Sequence, residues 1–343
     1  MDETALWRRP IVIVATAALV VVVAAVAALA YAPDGGRPGR GPRLPSMTPT
    51  RELAIGTVRV GAYGSDLGDY VTLLDPRTRT YRRYQGSGQI SPDGRRAVLW
   101  GSPGAGPNPR TASVVLLDLT TGQRRRLTLP RPAESYTWSR DGASILGTVV
   151  GDDAGATSNG TRLGFVLVRA DTGAASYVQA SPDSCASEDL GDFAWNADGT
   201  EVLAMTGGSQ QPFRPCSITY FGLDGRPHRT LDGAGNVFGG GQRELSPDGG
   251  RLFALQRRNL DADAQGEQVV IDATTGARVG RIVAGDHAPY PVGWIDPDHV
   301  LAAQACGGRD NTRLVVVDLG GHVTRTVTAC SRPAVPQLIP AAG

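Results

Sequence analysis

The sequence contains no lysine, and its 343 residues include four histidines and four cysteines. All 34 basic residues are therefore arginines, and they nearly balance 33 acidic residues, so the formal net charge is +1. The arginines are spread among acidic residues and form no basic patch with aromatic residues between its charges. This distribution excludes the electrostatic footprint of a nucleic-acid-binding surface, and we expect no nucleic-acid partner.

Local catalytic motifs are absent as well. The chain has no Gly-x-Ser-x-Gly nucleophile motif, no His-Glu-x-x-His or His-x-His zinc motif and no Cys-x-x-Cys pair. The scattered histidines are expected to be surface loop residues: His228, His287, His299 and His322. The sequence therefore assigns no catalytic or cofactor-binding residue.

What the sequence does contain is a repeat, which we call the turn phrase. Copies precede apolar runs at Ser91-Pro92-Asp93-Gly94, Trp138-Ser139-Arg140-Asp141-Gly142, Trp195-Asn196-Ala197-Asp198-Gly199, Ser246-Pro247-Asp248-Gly249 and, loosely, Trp294-Ile295-Asp296-Pro297-Asp298. The Asp positions 93, 141, 198, 248 and 298 are 48, 57, 50 and 50 residues apart. Pro, Asp and Gly in this order favour a tight turn, and the apolar residues after it favour a strand. Periods of this length are typical of propellers and other arrays.

Most units contain a second phrase, an apolar strand that ends at Asp and a glycine turn. It occurs at residues 114–122, 269–276 and 314–321, with a variant at 165–173. Alternation of polar and apolar residues resumes after this turn. Each unit therefore has two hairpins and predicts a four-stranded antiparallel sheet.

These units predict an all-β fold, a six-bladed β-propeller, or a seven-bladed one if the long insertions contain further strands. A first unit without the turn phrase begins near Glu52, and five units with it follow. We assign residues 52–330 to the propeller and residues 331–343 to a C-terminal tail. The tryptophans of the turn phrases, Trp138, Trp195 and Trp294, are expected to pack between blades.

The two phrases together resemble those of the TolB-type β-propeller family, which is related to WD-repeat propellers and to the propellers of prolyl oligopeptidases. The resemblance covers nearly everything after residue 51. It implies a bacterial periplasmic or cell-surface module that binds proteins or peptides, and it carries no shared catalytic residues. The chain departs from the pattern in its first unit, in the loose phrase at 294–298, and in a predicted anchor that would make it a membrane-anchored member.

The N-terminal region predicts attachment to a membrane. Residues 1–10 are expected to be a short cytoplasmic tail and residues 11–31 a transmembrane helix, because only Thr16 in the run 11–30 is not apolar. Such a run is long enough to span the roughly 30 Å of bilayer hydrocarbon. The alternative is a cleaved signal peptide and a secreted protein, since Ala28-Leu29-Ala30 resembles a cleavage site. Residues 32–51, rich in Pro, Gly and Arg, predict a flexible linker.

All four cysteines follow this anchor. Cys185 and Cys216 bracket one repeat unit, and Cys306 and Cys330 bracket the strands of the last. We predict two disulfides, each within one blade, which implies an oxidising, extracytoplasmic compartment. The alternative is four buried free thiols in a cytosolic domain.

One acidic loop partly matches the ligand spacing of an EF-hand, with Asp261, Asp263 and, at the twelfth position, Asp272. However, the twelfth residue is Asp rather than Glu, no flanking helices are predicted, and Asp272 fits the strand-ending position of the second phrase. We therefore predict no metal or other cofactor, with Ca²⁺ at these three residues as the weaker interpretation.

The predicted function is that of a membrane-anchored extracytoplasmic propeller, a monomer that binds an envelope protein or peptide at one rim or at the mouth of its central channel. The alternative is an enzyme with a lactonase- or lyase-like active site in the channel. Such a site takes one residue from each blade and leaves no local motif. Binding loops vary freely, so the sequence assigns no binding residue.

Overall fold

Each repeated unit folds into one antiparallel β-sheet. A computed structural model describes residues 52–64, 70–101, 114–151, 162–182, 192–206, 216–234, 245–256, 267–283, 290–306, 311–330 and 335–340. Within these ranges there are six sheets. They confirm the predicted all-β, six-bladed propeller and not the seven-bladed alternative.

The strands are numbered in chain order. The first sheet contains β1 (Ala54–Ile55), β2 (Val58–Gly64), β3 (Tyr70–Leu74), β4 (Tyr81–Gln85) and the last strand of the chain, β24 (Val335–Pro340). The second contains β5 (Ser87–Ile90), β6 (Arg96–Trp100), β7 (Val114–Asp118) and β8 (Arg124–Leu127), and the third β9 (Glu134–Trp138), β10 (Ser144–Val150), β11 (Arg162–Arg169) and β12 (Ala175–Gln179). The fourth contains β13 (Ala194–Trp195), β14 (Glu201–Thr206), β15 (Ser217–Gly222) and β16 (Pro227–Leu231). The fifth contains β17 (Arg251–Gln256), β18 (Glu267–Asp272) and β19 (Arg278–Val283), with a bridge between Leu245 and Leu252 before them, and the sixth β20 (Tyr290–Asp296), β21 (His299–Ala305), β22 (Thr312–Asp318) and β23 (Val323–Thr326).

The turn phrase joins the first two strands of a blade, as its residues predict. In the third blade the amide N–H of Gly142 donates to the carbonyl oxygen of Ser139 at 2.9 Å, and Gly142 has φ of +69°. The Asp141 carboxylate accepts from the Ser139 hydroxyl at 2.6 Å and from the Ala143 amide at 2.9 Å. The positive φ favours glycine, and the carboxylate satisfies donors that the turn leaves unpaired.

The apolar core lies between neighbouring blades. Six clusters of buried residues each combine side chains from two adjacent sheets, and one of the six joins the sixth blade to the first. For example, Phe165 of the third blade and Phe193, which precedes β13 of the fourth, meet edge to face with ring centroids 5.2 Å apart. Both faces of a blade are therefore buried, which explains the continuous apolar runs of the middle strands.

The tryptophans of the turn phrases pack between blades, as the sequence predicted. The indole N–H of Trp138 donates to the carbonyl oxygen of Gln89 in the preceding blade at 3.1 Å. Trp195 repeats this contact with Thr137 at 3.3 Å. Trp294 stacks on Phe253, with ring centroids 4.4 Å apart and planes 1° from parallel.

The prediction of a C-terminal tail at residues 331–343 is wrong for its central part, because Val335–Pro340 forms β24. This strand pairs antiparallel with β2, from Val58 opposite Pro340 to Gly64 opposite Val335. The first blade thus takes one strand from the end of the chain and the others from its beginning. This pairing closes the ring and covers an edge that β2 would otherwise leave open.

One of the two predicted disulfides is confirmed. Cys306 and Cys330 are bonded, with their Cα atoms 6.1 Å apart, and the bond joins the end of β21 to the segment after β23. Cys216 is also disulfide-bonded. Its predicted partner Cys185 lies outside the described residues, so that pairing stays a prediction.

The predicted cytoplasmic tail, anchor and linker, residues 1–51, likewise lie outside the described ranges. Among the residues that the structure does describe, no helix has both the length and the apolar character needed to cross a bilayer.

Candidate functional site

A cavity of about 310 Å³ lies where the turn phrases of the blades converge, and we call it the axial cavity. All six blades contribute to its lining. The lining residues are Thr57, Val58, Gln89, Ile90, Pro92, Arg140, Trp195, Asn196, Ala197, Leu245, Ser246, Pro247, Gly293, Trp294, Ile295, Gln337, Leu338, Ile339 and Pro340. A concave, largely apolar site with a few convergent polar groups is the usual form of a ligand-binding pocket.

The residue directly before the aspartate of the turn phrase, which is the second residue of the four-residue turn itself, faces this cavity in four blades. It is occupied by Pro92, Arg140, Ala197 and Pro247, and all four belong to the lining. Three of them are small and apolar, so Arg140 is the one charged residue at this position, although an exposed turn aspartate directly follows each of the four, Asp93, Asp141, Asp198 and Asp248. Arg140 is solvent-exposed, and among the described residues its guanidinium has no ion pair or hydrogen bond.

Most of the polar lining groups are already engaged in holding the fold. The Thr57 hydroxyl donates to the Ile295 carbonyl oxygen at 2.8 Å. The Gln337 side-chain amide donates to the Gly88 carbonyl at 2.8 Å and accepts from the Ile90 amide at 3.2 Å, which ties β24 to β5. Such satisfied groups shape the cavity but offer little to a ligand.

Gln89 is different. Its backbone carbonyl oxygen accepts from Trp138, but its side-chain amide has no hydrogen-bond partner among the described residues. The amide supplies both donors and an acceptor. Together with Arg140 it provides the polar chemistry that the axial cavity offers to a ligand.

Groups for acid–base or metal chemistry do not converge on the axial cavity. Its lining, as far as the chain is described, contains no carboxylate, histidine or cysteine. No cluster of three or more metal-ligating side chains occurs among the described residues either. The described lining therefore offers shape, apolar surface, one cation and the amide of Gln89.

The predicted calcium ligands are not brought together by the described residues. Asp261 and Asp263 lie outside them. Asp272 ends β18 and accepts at Oδ1 from the amides of Thr275 and Thr274, at 2.7 and 2.9 Å. These hydrogen bonds, with the Thr275 amide first, hold the pKa of Asp272 below its usual value, so its position is that of a turn-closing residue.

A partly buried ion pair lies away from the axial cavity. Arg162 donates to the Asp192 carboxylate at 3.3 Å. Burial raises the pKa of Asp192, and hydrogen bonds from Ser135 and Arg162 oppose this rise. Ser135 is near the start of β9, whereas the turn phrase follows the end of that strand, so the pair belongs to the opposite end of the blade.

Sequence reasoning did not select Arg140, although it read the residue as part of the turn phrase. The available signal was the comparison of the second position across copies, where one arginine replaces proline or alanine. Only the three-dimensional structure, in which the turns converge, shows that this arginine lines a cavity.

The fold is similar to that of solved β-propellers. TolB from Acinetobacter baumannii matches with a TM-score of 0.53 and 16% identity, over 84% of this chain and 68% of that one. A putative TolB from Agrobacterium tumefaciens matches with a TM-score of 0.50 and 16% identity, over 80% of this chain and 98% of that one. An acylaminoacyl peptidase from Pyrococcus horikoshii matches with a TM-score of 0.50 and 13% identity, over 81% of this chain and 45% of that one.

No protein-family model and no curated protein sequence matches the chain. At such low identities the structural likeness shows the fold alone. The molecule is thus a six-bladed β-propeller whose fold is similar to that of TolB. Its neighbours include both TolB proteins and a peptidase, so the fold by itself leaves the activity to be argued from the site.

Proposed function

We propose that this protein is a binding module that takes a short stretch of protein or peptide into the axial cavity. The observation that carries the proposal is the lining itself, which combines two tryptophans with aliphatic side chains and few uncommitted polar groups. Its volume of about 310 Å³ is at the lower end of the usual range for small-ligand sites. It suits a few side chains of a peptide better than a folded surface.

The lactonase- or lyase-like alternative needs converging acid–base groups or metal ligands in the channel. The described lining carries none of these residue types. The binding role therefore has more physical support than the enzymatic one.

We infer that the partner is a component of the cell envelope and that the propeller, a monomer, is held outside the cytoplasm by the predicted anchor at residues 11–31. The Cys306–Cys330 disulfide supports this location, because such bonds persist in oxidising compartments and are rare in the cytosol. The short outer strands support the monomeric state, since the open edge of each blade, on β4, β8, β12, β16, β19 or β23, is only four to six residues long and offers little for pairing with a second copy.

Binding to the axial cavity is tested with the full chain in detergent and an array of short synthetic peptides of varied sequence. We expect a subset of peptides to bind, and Pro247→Trp to weaken that binding at least about tenfold because the indole fills the rim. The second position of a tight turn accepts most residues, so the variant is expected to fold.

Pro76→Trp is the matched control, because Pro76 occupies a turn between β3 and β4 and is not part of the cavity lining. Equal binding by the wild type and both variants would place the site elsewhere. An array without any binding peptide would reject the proposed function.

A further inference from the structure

We propose that the axial cavity recognises the free C-terminal carboxylate of a peptide whose last residue is apolar, with Arg140 as the group that binds the carboxylate. This inference rests on the proposed peptide-binding function and names the chemistry that the site selects. It begins with charge. Arg140 lines the cavity and has no ion pair among the described residues, and the described lining brings no carboxylate that would neutralise it or repel an anionic ligand.

Arginine suits a carboxylate because its planar guanidinium can donate two parallel N–H···O bonds to the two oxygens. Such charge-assisted bonds strengthen where apolar surface excludes water. Arg140 is exposed in the free protein, so water would be excluded from it only by the bound apolar residue; its counterparts at the same turn position, Pro92, Ala197 and Pro247, bring no competing polar side chain. A ligand that ends in a carboxylate would therefore find one strong partner at the rim.

The rest of the lining selects what accompanies the carboxylate. Trp195 and Trp294 offer apolar and aromatic surface to a terminal side chain. The uncommitted amide of Gln89 can pair with the N–H and C=O of the last peptide bond, groups that would otherwise be buried without partners.

The size of the cavity favours a chain end over an internal acidic residue. A chain that continues past its acidic side chain must both enter and leave the mouth, whereas a terminus has only to enter. At about 310 Å³, near the lower limit for ligand sites, the cavity has room for the second arrangement.

The test uses pairs of peptides that differ only at the terminus, made from the binding sequences as the free acid and as the C-terminal amide. The full chain in detergent is titrated with each, and we expect the amide to bind at least about tenfold more weakly, as for loss of a charge-assisted bond. Arg140→Ala should weaken binding of the free-acid peptide to the level of the amide peptide and leave binding of the amide peptide unchanged. Arg140→Glu should reverse the preference.

Two features of the chain supply controls. Ala197 occupies the same turn position in the fourth blade, so alanine is compatible with this turn. Arg124 on β8 is another exposed arginine, lies outside the lining, and its guanidinium has no ion pair or hydrogen bond among the described residues. The variant Arg124→Ala should therefore keep the full preference for the free acid over the amide.

The outcomes separate the two proposals. In one outcome, acid and amide peptides bind equally to the wild type, and Pro247→Trp still blocks binding. This result would overturn the role of the carboxylate and leave the peptide-binding function standing. Arg140→Ala that weakens acid and amide alike would point to an internal acidic residue and also overturn it. A complete lack of peptide binding would overturn both.

Discussion

At the scale of single residues, the carboxylates that close the second turn of the blades carry much of the local order. In the second blade Asp118 accepts at Oδ1 from the amides of Thr121 and Thr120, at 2.7 and 2.8 Å. These bonds, with the Thr121 amide first, hold the pKa of Asp118 below its usual value. Asp272 and Asp318 end β18 and β22 in the same way, and their pKa values are lowered too.

A lowered folded-state pKa makes stability depend on pH in a defined direction. The contribution of such a carboxylate is present above the unfolded value of about 3.9 and is lost as the pH falls through the lower folded value. Asp192, whose pKa is raised, acts in the opposite sense. Only Asp192 has a raised pKa here, whereas the pKa values of the three turn carboxylates are lowered. The expected net effect is therefore a lower free energy of unfolding in acid.

Asp118→Ala is therefore expected to lower the free energy of unfolding at pH 7 by about 1 kcal/mol, a modest figure because the turn is partly exposed to solvent. The difference from the wild type should shrink and then vanish as the pH falls through the lowered folded-state pKa of Asp118. Urea unfolding at several pH values measures both. Asp232→Ala, which removes a carboxylate with a long 3.4 Å bond from Ser217, should show little effect, and a pH-independent loss in Asp118→Ala would contradict the electrostatic account.

At the scale of elements, arginines on the outer strands of the second and fourth blades join each of these blades to the next. Arg125 of β8 donates to the carbonyl oxygens of Ala170 and Asp171 in the third blade, at 2.7 and 2.8 Å. Arg229 of β16 reaches Ala273 of the fifth blade at 3.1 Å. These contacts at the circumference complement the tryptophan contacts near the axis.

The element with the largest consequence is β24. It supplies the buried side chain of Ile339 to the cluster shared by the first two blades, and Gln337 bonds it to β5. It also contributes four residues to the lining of the axial cavity, Gln337, Leu338, Ile339 and Pro340.

Ending the chain at residue 334 is expected to abolish the cooperative unfolding transition. The ring opens at β2, and loss of a buried isoleucine alone costs roughly 2–5 kcal/mol, a large part of a typical total of 5–15 kcal/mol. Thermal unfolding followed by circular dichroism provides the measurement. A chain that ends at residue 340 keeps β24 and should melt like the full chain; equal melting of both truncations would show that the closure is dispensable.

At the scale of the whole molecule, the disulfide and the predicted anchor together define a location. Cys330 is exposed and Cys306 is half-buried at the end of β21. An extracytoplasmic propeller would therefore present these thiols to the outside once the bond is reduced. A cytoplasmic one would keep them behind the membrane.

Intact cells treated with a membrane-impermeant maleimide should show no labelling of this chain before reduction and labelling after treatment with an impermeant reductant. The double variant Cys306→Ser, Cys330→Ser should lose the labelling that these two cysteines contribute, and Cys216, which is buried, should contribute little. Labelling that appears only after lysis would put the propeller on the inner side of the membrane and reject the envelope location.

The sequence by itself determined the repeat, the turn chemistry and the strands that follow each turn, and it favoured six blades over seven. These features depend on interactions within a few residues: Pro, Asp and Gly define a turn, and apolar residues after it define a strand that needs a partner face. Four copies of closely similar sequence made the repeat detectable without any knowledge of which strands pair. The contact of Trp138 and Trp195 with the preceding blade followed from the same regularity.

Tertiary structure alone decided how the ring closes and where a ligand can bind. In β24, Pro336 and Pro340 argue locally against a strand, since proline cannot donate to a ladder, and the strand forms because it lies at the axial edge and β2 needs a partner. Arg140 is likewise an ordinary turn residue in the sequence. Its single charge became a candidate specificity group only when six blades, distant along the chain, brought their inner residues around one cavity.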